Sequence, residues 1–509
     1  MSANTPSVFK RVKIACGLLF GMRIHDFRAA KTWITTMYPG VGLAKKLYQF
    51  LCWSIGQMLI EIPESLEYAS WERPVKKKAF WLEDVNPHEN HPWQNTPDAK
   101  LPQSCHVVVI GAGFTGAAAG YHWSKNVEDD KKMIVLEMED AASGSSGRNE
   151  GLVVMGRYYA MVYGFVLDDL KQNKTDLTAD QQNKLARQFA ATYCKAAYKN
   201  ADMIEQTIRK EGFDCDYVRS GWICAVDPEN LDSLDKAVKM AQQSGFTDWT
   251  RINPEQVMGK GGMQVECDAA FSKKAASLHP AKWVWSLFTA ALKSKAVELY
   301  TRTKVLRVED AGSEYILHTN RGSICAKYVI NATEAYSAKL HPQLHDIVRC
   351  HQTQGIYAQQ GPAAMKPHIG LSGTRGFFGK IEDGILFGSD ATRIPDKQAG
   401  RINPSGFITK FLLGEIALYF GPYKCNVTHQ WTGSVGFTRD QYPIVGLMDG
   451  KRQFIIAGMA GSGSAVSFNA ARCICNRILG ETEDDDYPEE YFSPTRLIDP
   501  ANHKWPEIK

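Results

Sequence analysis

Residues 106–137 read HVVVIGAGFTGAAAGYHWSKNVEDDKKMIVLE, and this stretch decides the fold. Its first five residues form a short β-branched run, which is typical of a strand buried on both faces. A glycine-rich turn, a run of small residues with helical spacing and a second apolar run follow in that order. Such a strand, turn, helix and strand are typical of a Rossmann-like unit that binds a dinucleotide. The sequence therefore predicts an α/β fold.

Each glycine of the turn has a separate physical reason. Gly111 permits a tight turn, Gly113 lets a pyrophosphate approach the backbone, and Gly116 allows the helix to sit close to the strand. The helix that begins there offers N–H groups and a positive dipole end to the phosphates. The acid that closes the second strand is placed to accept hydrogen bonds from the adenosine ribose. The positions expected to contact the dinucleotide are Gly111, Gly113, Phe114, Thr115, Gly116 and Glu137.

A second loop, residues 143–151 with the sequence SGSSGRNEG, directly follows this unit. Here the chain resembles the D-amino acid oxidase family of FAD-dependent oxidoreductases, and within it the sarcosine oxidase-like and gamma-glutamylputrescine oxidase-like members. Family members carry a Ser-Gly-Arg-Asn-Gly-Gly-like loop that passes along the pyrophosphate and reaches the isoalloxazine ring. The resemblance therefore implies FAD as the cofactor. It implies cofactor contacts at Ser146, Gly147, Arg148, Asn149 and Gly151.

Further segments resemble the family in order and spacing, so that the match covers roughly residues 103 to 480. They are the turn 277–280 (SLHP) with the helix after it, 303–308 (TKVLRV), 328–333 (YVINAT), 430–446 (QWTGSVGFTRDQYPIVG) and 454–464 (FIIAGMAGSGS). The resemblance places the second of them near adenine and the third beside the cofactor. The implied contacts are Val305, Ala332, Gly433, Gly461, Ser462, Gly463 and Ser464.

The last glycine motif also makes chemical sense without the resemblance. Gly461 and Gly463 let the backbone approach a flat ring, and a helix begins there with its positive end toward the flavin. Relatives that tether FAD covalently carry a cysteine before the position matching Asp440 or a histidine just beyond the Arg-Asn loop. Residues 431–439 contain no cysteine and residues 152–155 no histidine, so we expect non-covalent FAD.

The substrate domain is expected in the two insertions between the cofactor segments. Residues 377–382 and 385–388 flank Asp383-Gly384, a strong hairpin signal that predicts an antiparallel sheet. In the family such a sheet covers the flavin, with the substrate between them. Tyr159 and Phe378 are candidates to wall the pocket, although aromatic packing explains them equally well. Arg439 is a candidate anchor, with a loop ion pair as the favoured alternative.

Glu150 is the notable departure, because the family usually has glycine at its position. A carboxylate beside the flavin would bind a substrate ammonium or take up its proton, which makes Glu150 the candidate for catalysis. The alternative is an ion pair with Arg148 or Arg157. D-amino acid oxidase places an arginine soon after the Gly matching Gly433, but this chain has Ser434-Val435 there, which weakens a simple amino-acid assignment.

Composition limits the number of domains, the classes of partner and the kinds of metal site that the chain can have. The chain has 509 residues, of which 44% are hydrophobic, and a net charge of +4, which indicates several domains and no nucleic-acid partner. Its 12 cysteines are scattered without any C-x-x-C pair, which predicts reduced thiols and no metal site. We expect an intracellular protein, cytoplasmic before mitochondrial or membrane-surface.

The N-terminal extension is basic, with eight Lys or Arg against Asp26 in residues 1–60. Three interpretations are open: an organelle transit peptide, an amphipathic segment on an anionic membrane through residues 1–62, or helices packed on the catalytic body. The acidic run 481–486 is interpreted as a solvated loop.

The expected organisation is α/β (α+β overall), a Rossmann-like FAD-binding domain with an inserted antiparallel-sheet substrate domain. The predicted boundaries are 1–100 for the mainly helical extension and connector, 103–160, 261–345 and 426–480 for the FAD-binding domain, 161–260 and 346–425 for the substrate domain, and 481–509 for a C-terminal tail.

The expected function is hydride transfer from a small amine or amino acid to FAD, with oxygen as the electron acceptor. Two alternatives stay open: a membrane-associated dehydrogenase that passes electrons to a quinone or protein carrier, and an FAD-binding assembly factor without turnover.

Overall fold

The computed structural model describes residues 6–22, 27, 42–128, 130–154, 159–373, 376–389, 400, 403–421, 423–448 and 450–508. Its α-helices are Val8–Gly21, Leu43–Gly56, Ile62–Leu66, Phe114–Asn126, Tyr159–Asn173, Ala179–Glu211, Leu231–Gln243, Pro254–Gly261, Pro280–Ala291, Ser337–Leu340, Gly406–Phe420, Gly463–Leu479, Glu489–Phe492 and Thr495–Ile498. No helix in these ranges is long and apolar enough to cross a membrane. All twelve cysteines carry free thiols.

An eight-stranded sheet contains the predicted dinucleotide unit. Its main path runs Val305–Asp310, Tyr315–Thr319, Gly322–Asn331, Ser104–Ile110, Met133–Leu136 and Val297–Tyr300, and Gln453–Ala457 with Ile444–Leu447 extends it beside Gly322–Asn331. The central strands are parallel. Val107 and Val109 face the helix Phe114–Asn126, while Val108 belongs to the core on the opposite face. Burial on both faces explains the unbroken β-branched run and confirms the Rossmann-like unit.

A nine-stranded mixed sheet forms the second layer. In spatial order its strands are Ala69–Lys76, Cys425–Phe437, Arg349–Gln359, Gly384–Ser389, Gly376–Ile381, Gly370–Ser372, Trp222–Cys224, Ala269–Ser272 and Trp249–Ile252. The predicted hairpin is present, but Ile381 pairs with Gly384, so the turn residues are Glu382 and Asp383. Glu382 takes the positive φ of 54° that the turn requires. A short two-stranded sheet pairs Leu152–Val153 with Ala276–Ser277.

Two segments predicted for the FAD-binding domain contribute strands to the nine-stranded sheet. The strand Cys425–Phe437 lies in the nine-stranded sheet, although the boundary at 426 assigns it to the FAD-binding segments. It is thirteen residues long and pairs with Arg349–Gln359 along that strand's whole length. The strand Ala269–Ser272, within segment 261–345, likewise lies in the nine-stranded sheet.

The N-terminal helices pack on the helix Gly406–Phe420 behind the nine-stranded sheet. Leu18 and Ile62 lie in the core shared with that helix. The Arg11 guanidinium donates to the Leu59 carbonyl at 3.0 Å and to the Glu64 carboxylate at 2.6 Å. The extension is therefore held to the body by one face of its helices.

The connector and the C-terminal tail close around the cofactor layer. The Trp81 indole donates to the Asn149 carbonyl at 2.7 Å, so the connector lies against the Arg-Asn loop. The acidic run is not a freely solvated loop, because Arg472 pairs with Asp484 at 2.8 Å and Arg477 with Asp485 at 2.7 Å. The run is held there because both arginines lie on the neighbouring helix Gly463–Leu479.

Candidate functional site

The glycine turn has the close backbone approaches that its three glycines were predicted to permit. Gly111 has φ of 110°, and a Cβ there would lie 2.6 Å from the Ala332 carbonyl oxygen. A Cβ at Gly113 would lie 2.7 Å from Ser146 Oγ, and one at Gly116 would overlap the carbonyl oxygen of Gly111. A side chain at any of these positions would close the cradle, which fits the pyrophosphate of a dinucleotide.

Glu137 lies at the end of the second parallel strand, directly beside the turn. Its carboxylate accepts hydrogen bonds from the backbone N–H of Ala112 at 2.8 Å and of Glu139 at 2.9 Å. Thr303 N–H donates to the Glu137 carbonyl at 2.7 Å and brings the following strand, which starts at Val305, beside it. This arrangement leaves the acid at the edge where the ribose of a dinucleotide binds.

The Arg-Asn loop folds over the start of the helix Phe114–Asn126. Phe114 N–H donates to Ser146 Oγ at 2.8 Å. The Asn149 side chain holds the loop by donating to the carbonyl of Ser146 at 2.9 Å and accepting from Gly151 N–H at 2.8 Å. Gly151 has φ of 71°, and a Cβ there would lie 2.5 Å from a backbone carbonyl oxygen. The loop and the glycine turn therefore form one continuous backbone surface.

Arg148 joins this loop to the strand Cys425–Phe437. Its Nε donates to the Ser143 carbonyl at 2.9 Å, and its own carbonyl accepts from the Trp431 indole at 3.0 Å. Gly433 lies under the Arg148 side chain, since a Cβ there would be 3.6 Å from Arg148 Cβ. Burial lowers the pKa of the Arg148 guanidinium.

A second helix start, at Gly463, opens onto the same cavity as the first. Phe114, Gly463 and Ser464 line one shared cavity. The helix Gly463–Leu479 has Ser462 at its N-cap and no side-chain cap, so its first N–H groups face outward with the positive dipole end. Gly461 has φ of 86° just before it. Two helix starts and two glycine turns thus surround one cleft, and the residues present fit FAD.

The nine-stranded sheet has a front face toward this cleft and a back face toward the helix Gly406–Phe420. The front face is the one that carries Tyr357, Leu386 and Trp431, which belong to the core of the cofactor layer. One row of register neighbours crosses four strands on it: Phe377, Gly388, Gly355 and Trp431. The Trp431 indole lies over Gly355, since a Cβ there would be 2.8 Å from its ring, so the position of this row that admits another group is Gly388.

Glu150 reaches Gly388 from the Arg-Asn loop. A Cβ at Gly388 would overlap Glu150 Oε1, so the carboxylate lies directly on the glycine row. On the next row, a Cβ at Gly379 would meet no atom within 4 Å, so the front face is open there. Arg157, one of the alternative partners for Glu150, lies outside the described residues.

Three other candidate pocket residues lie elsewhere. Phe378 faces the back of the sheet, where its ring packs against Phe387 with centroids 5.3 Å apart. Strand alternation makes its neighbour Phe377 the front-face aromatic instead. Tyr159 is buried in the helical core, and its hydroxyl donates to the Arg187 carbonyl at 3.1 Å.

Arg439 forms an ion pair with Asp169 on the helix Tyr159–Asn173. Its guanidinium also donates to the Leu497 carbonyl at 3.4 Å. This corresponds to the loop ion pair that was the favoured alternative to a substrate anchor.

Glu334 is an acid with a buried carboxyl, beside the cofactor strand, that sequence reasoning missed. It follows the strand Gly322–Asn331 with φ of 46°, a conformation that favours glycine. Its carboxylate accepts from Gly436 N–H at 2.7 Å and from Met459 N–H at 2.8 Å. Burial raises the pKa of this acid to about 7, against the lowering effect of the backbone donors. An acid directly after Ala332-Thr333, where the chain turns away from the cofactor strand, is the signal that was available in the sequence.

Known proteins share this architecture. The family model described as FAD dependent oxidoreductase (DAO) matches residues 106–477. Gamma-glutamylputrescine oxidoreductase from Escherichia coli is 21% identical over 400 residues, covering 75% of this chain and 85% of that protein.

Two solved structures have the same fold. Glycine oxidase from Geobacillus kaustophilus is 18% identical with a TM-score of 0.61, over 78% of this chain and 99% of the oxidase. L-proline dehydrogenase from P. horikoshii is 16% identical with a TM-score of 0.61, over 79% of this chain and 100% of the dehydrogenase. The family match spans the glycine turn, the Arg-Asn loop and the start of the last helix, and the chain belongs to the DAO family of FAD-dependent oxidoreductases.

Proposed function

We propose that this enzyme oxidises a carbon–nitrogen bond of a small amine or N-substituted amino acid, and that the substrate lies between the Arg-Asn loop and the front face of the nine-stranded sheet. The observation that carries the proposal is the position of Glu150. Its carboxylate lies on Gly388, at the border between the cofactor loop and the open part of the sheet. A negative charge at that border suits a substrate that arrives as an ammonium ion.

The glycine row determines the size of the substrate that fits. The Trp431 indole covers Gly355, and the Glu150 carboxylate lies over Gly388 next to Phe377. The open space on this face lies above Gly379, on the row next to Gly388. We expect a flat or slender amine there, with its charged nitrogen toward Glu150 and its apolar part against Phe377.

FAD, when bound, supplies the two-electron acceptor: hydride leaves the substrate carbon, and the two electrons then reduce oxygen, which takes up two protons and departs as hydrogen peroxide. The chain's own residues position the reactants. Glu150 holds the ammonium and accepts the proton that must leave nitrogen before hydride departs. The product imine retains the substrate carbon–nitrogen bond as a double bond and is released to water.

A single experiment tests the reaction and the acceptor. The purified holoenzyme is mixed without oxygen with a panel of small primary and secondary amines and amino acids, and the absorbance of oxidised flavin is followed. Bleaching by an amine, followed by fast recovery and stoichiometric peroxide when oxygen is admitted, is the expected result. Bleaching without recovery would instead support the dehydrogenase, and no bleaching with any amine would support an FAD-binding protein without turnover.

The role of Glu150 is tested separately with E150Q. Loss of a charged hydrogen-bond partner is expected to raise the dissociation constant for a cationic substrate by roughly tenfold or more. The limiting rate of flavin reduction would fall as well if Glu150 also accepts the proton. E382Q, at the exposed tip of the hairpin, is the matched control. An unchanged dissociation constant in E150Q would remove the ammonium-binding role while leaving amine oxidation itself standing.

A further inference from the structure

The N-terminal helices expose an apolar surface that the oxidation chemistry does not use. Most of the exposed large hydrophobic side chains in the described part of the chain lie between residues 8 and 60. Contiguous exposed apolar surface on this scale is typical of an interaction site. Each helix has an inner face on the protein body and an outer face toward solvent.

In the helix Val8–Gly21 both faces carry apolar side chains. The inner face consists of Arg11, Ile14, Ala15 and Leu18. The side chains of Val8, Phe9, Val12, Leu19 and Phe20 are exposed on the other side. Phe9 is 82% exposed and Phe20 is 92% exposed. A helix packed on a protein core normally turns polar residues outward, so the outer face of this helix is not explained by folding.

The helix Leu43–Gly56 repeats the arrangement. Its inner face, with Trp53 against Phe411 at a centroid distance of 5.5 Å, packs on the protein body. Its outer stripe has helical spacing and consists of Leu47, Tyr48, Leu51 and Ile55. Tyr48 is 69% exposed. Two separate helices therefore present apolar stripes to solvent.

The flanking charges distinguish this surface from a purely apolar exposed patch. Neither helix contains an aspartate or a glutamate, and together they carry Lys10, Arg11, Lys13, Lys45 and Lys46. Arg11 turns inward, and Lys10 pairs with Glu67. Lys13 and Lys45 are exposed beside the apolar stripes. Lysines that flank an exposed apolar face are the pattern of a helix that lies in the interface of an anionic bilayer.

We propose that the outer faces of the helices Val8–Gly21 and Leu43–Gly56, here called the lipid face, dock the enzyme on an anionic membrane surface. The aromatic and aliphatic side chains enter the boundary between headgroups and acyl chains, and Lys13 and Lys45 contact the phosphates. At fourteen residues each helix is about 21 Å long, too short to span a bilayer, so it lies on the surface. Docking goes beyond the proposed oxidation and does not depend on the electron acceptor.

Vesicle flotation of the full-length holoenzyme tests the proposal. Phosphatidylcholine vesicles with and without phosphatidylserine are the probes, and flavin absorbance in the floated fraction reports folded enzyme. We expect flotation with the anionic vesicles, much less with the neutral ones, and a decrease as salt rises, because the Debye length shortens to about 8 Å at physiological ionic strength.

Three variants and a control assign the binding to the lipid face. F9S/F20S and Y48S/L51S are each expected to lower vesicle affinity by at least about tenfold. K13E/K45E is expected to remove the preference for phosphatidylserine, at roughly fivefold or more per lysine. V85S/I498S changes two exposed apolar residues elsewhere and should float as the wild type does.

Specific results would overturn docking. One is wild-type enzyme that stays at the bottom with both kinds of vesicle. Another is flotation of both apolar variants equal to that of wild type. A third is a dimer in solution that F9S/F20S converts to a monomer, since a second copy of the chain would then cover this face. If an apolar variant loses its flavin, K13E/K45E and the salt dependence of the wild type still decide the question.

Discussion

The carboxylate of Glu334 accepts a hydrogen bond from the backbone N–H of Met459 at 2.8 Å, and this bond joins the end of one cofactor strand to the last glycine motif. The same carboxylate accepts from Gly436 N–H at 2.7 Å. Three segments that are distant in sequence are thus fixed around one acid. Its positive φ and raised pKa mark a residue retained at some cost in stability.

Glu334 should make stability depend on pH. Its pKa is about 7 in the folded protein against an ordinary value of 4.5, so the folded state holds the proton more tightly than the unfolded chain. The contribution to the free energy of unfolding is therefore largest below pH 4.5 and declines as pH rises to 7. Because the carboxyl is buried, the effect is not screened by solvent, and we expect a decline of roughly 3 kcal/mol.

The side chain of E334Q cannot ionise, so the free energy of unfolding of this variant should lack this part of the decline with rising pH. Urea unfolding of wild type and E334Q at several pH values between 5 and 8 measures it. E255Q, at an exposed helix start, is the control and should follow the wild-type curve. Parallel curves for wild type and E334Q would show that Glu334 does not titrate in this range.

The glycine turn offers a matched pair of substitutions on one helix. In G116A the new methyl group would overlap the carbonyl oxygen of Gly111, whereas in G120A the nearest atom is a Val297 methyl carbon at 3.5 Å, an ordinary contact. We expect G116A to weaken FAD binding by more than about tenfold, since the turn must open to admit the methyl. G120A should bind FAD as wild type does. Titration of the apoprotein followed by flavin fluorescence measures both, and equal affinities would contradict the cradle.

The sequence was sufficient for this turn because every step in it is local. Residues 106–137 contain the sequence patterns of a buried strand, a turn that excludes side chains and a helix start. The sheet positions were harder, because Phe377 and Phe378 are adjacent in one strand and a single step in register exchanges the two faces. Only the packing of the helix Gly406–Phe420 against one face decides between them.

Long-range pairs were beyond sequence reasoning for the same physical reason. Arg439 and Asp169 are 270 positions apart, and Glu334 is 102 and 125 positions from its two donors. Nothing in the local pattern of either segment indicates the other. The role of a residue that depends on such contacts can be predicted only when the fold is known. The steric role of a glycine can be predicted from the sequence.

Acid precipitation should release the flavin. The strand segment from Trp431 to Arg439 contains no cysteine, which is the basis for expecting non-covalent FAD. In the measurement, denatured protein is pelleted and flavin absorbance is read in both fractions, with the colour expected in the supernatant. Colour retained on the pellet would contradict the expectation and direct attention to Cys350, which pairs with Gly436 on the neighbouring strand. C350S would then be expected to release the flavin into the supernatant.

The C-terminal tail should contribute strongly to stability through one ion pair. Arg496 and Asp440 are joined at 2.9 Å with side chains only 1% and 4% exposed. The guanidinium also donates to the carbonyls of Tyr442 at 2.9 Å and Pro443 at 3.0 Å. Removing one partner leaves a buried charge, so R496M is expected to cost about 3–5 kcal/mol of unfolding free energy. R209M, at an arginine whose side chain is 77% exposed, is the control, and similar losses in both variants would contradict a special role for the buried pair.

Gly388 and Glu150 should be energetically coupled if the carboxylate occupies the position proposed for ammonium binding. The methyl group of G388A would overlap Glu150 Oε1 and displace it, so G388A alone should raise the dissociation constant of a cationic substrate. E150A should also raise it. In the double variant the methyl meets no carboxylate, and the added cost of G388A should largely disappear, giving strong non-additivity. Anaerobic flavin reduction at increasing substrate concentration yields the four constants. Simple additivity would mean that Gly388 and Glu150 act independently. If Gly388 were needed only for sheet packing, G388A would raise the dissociation constant by the same factor whether residue 150 is glutamate or alanine.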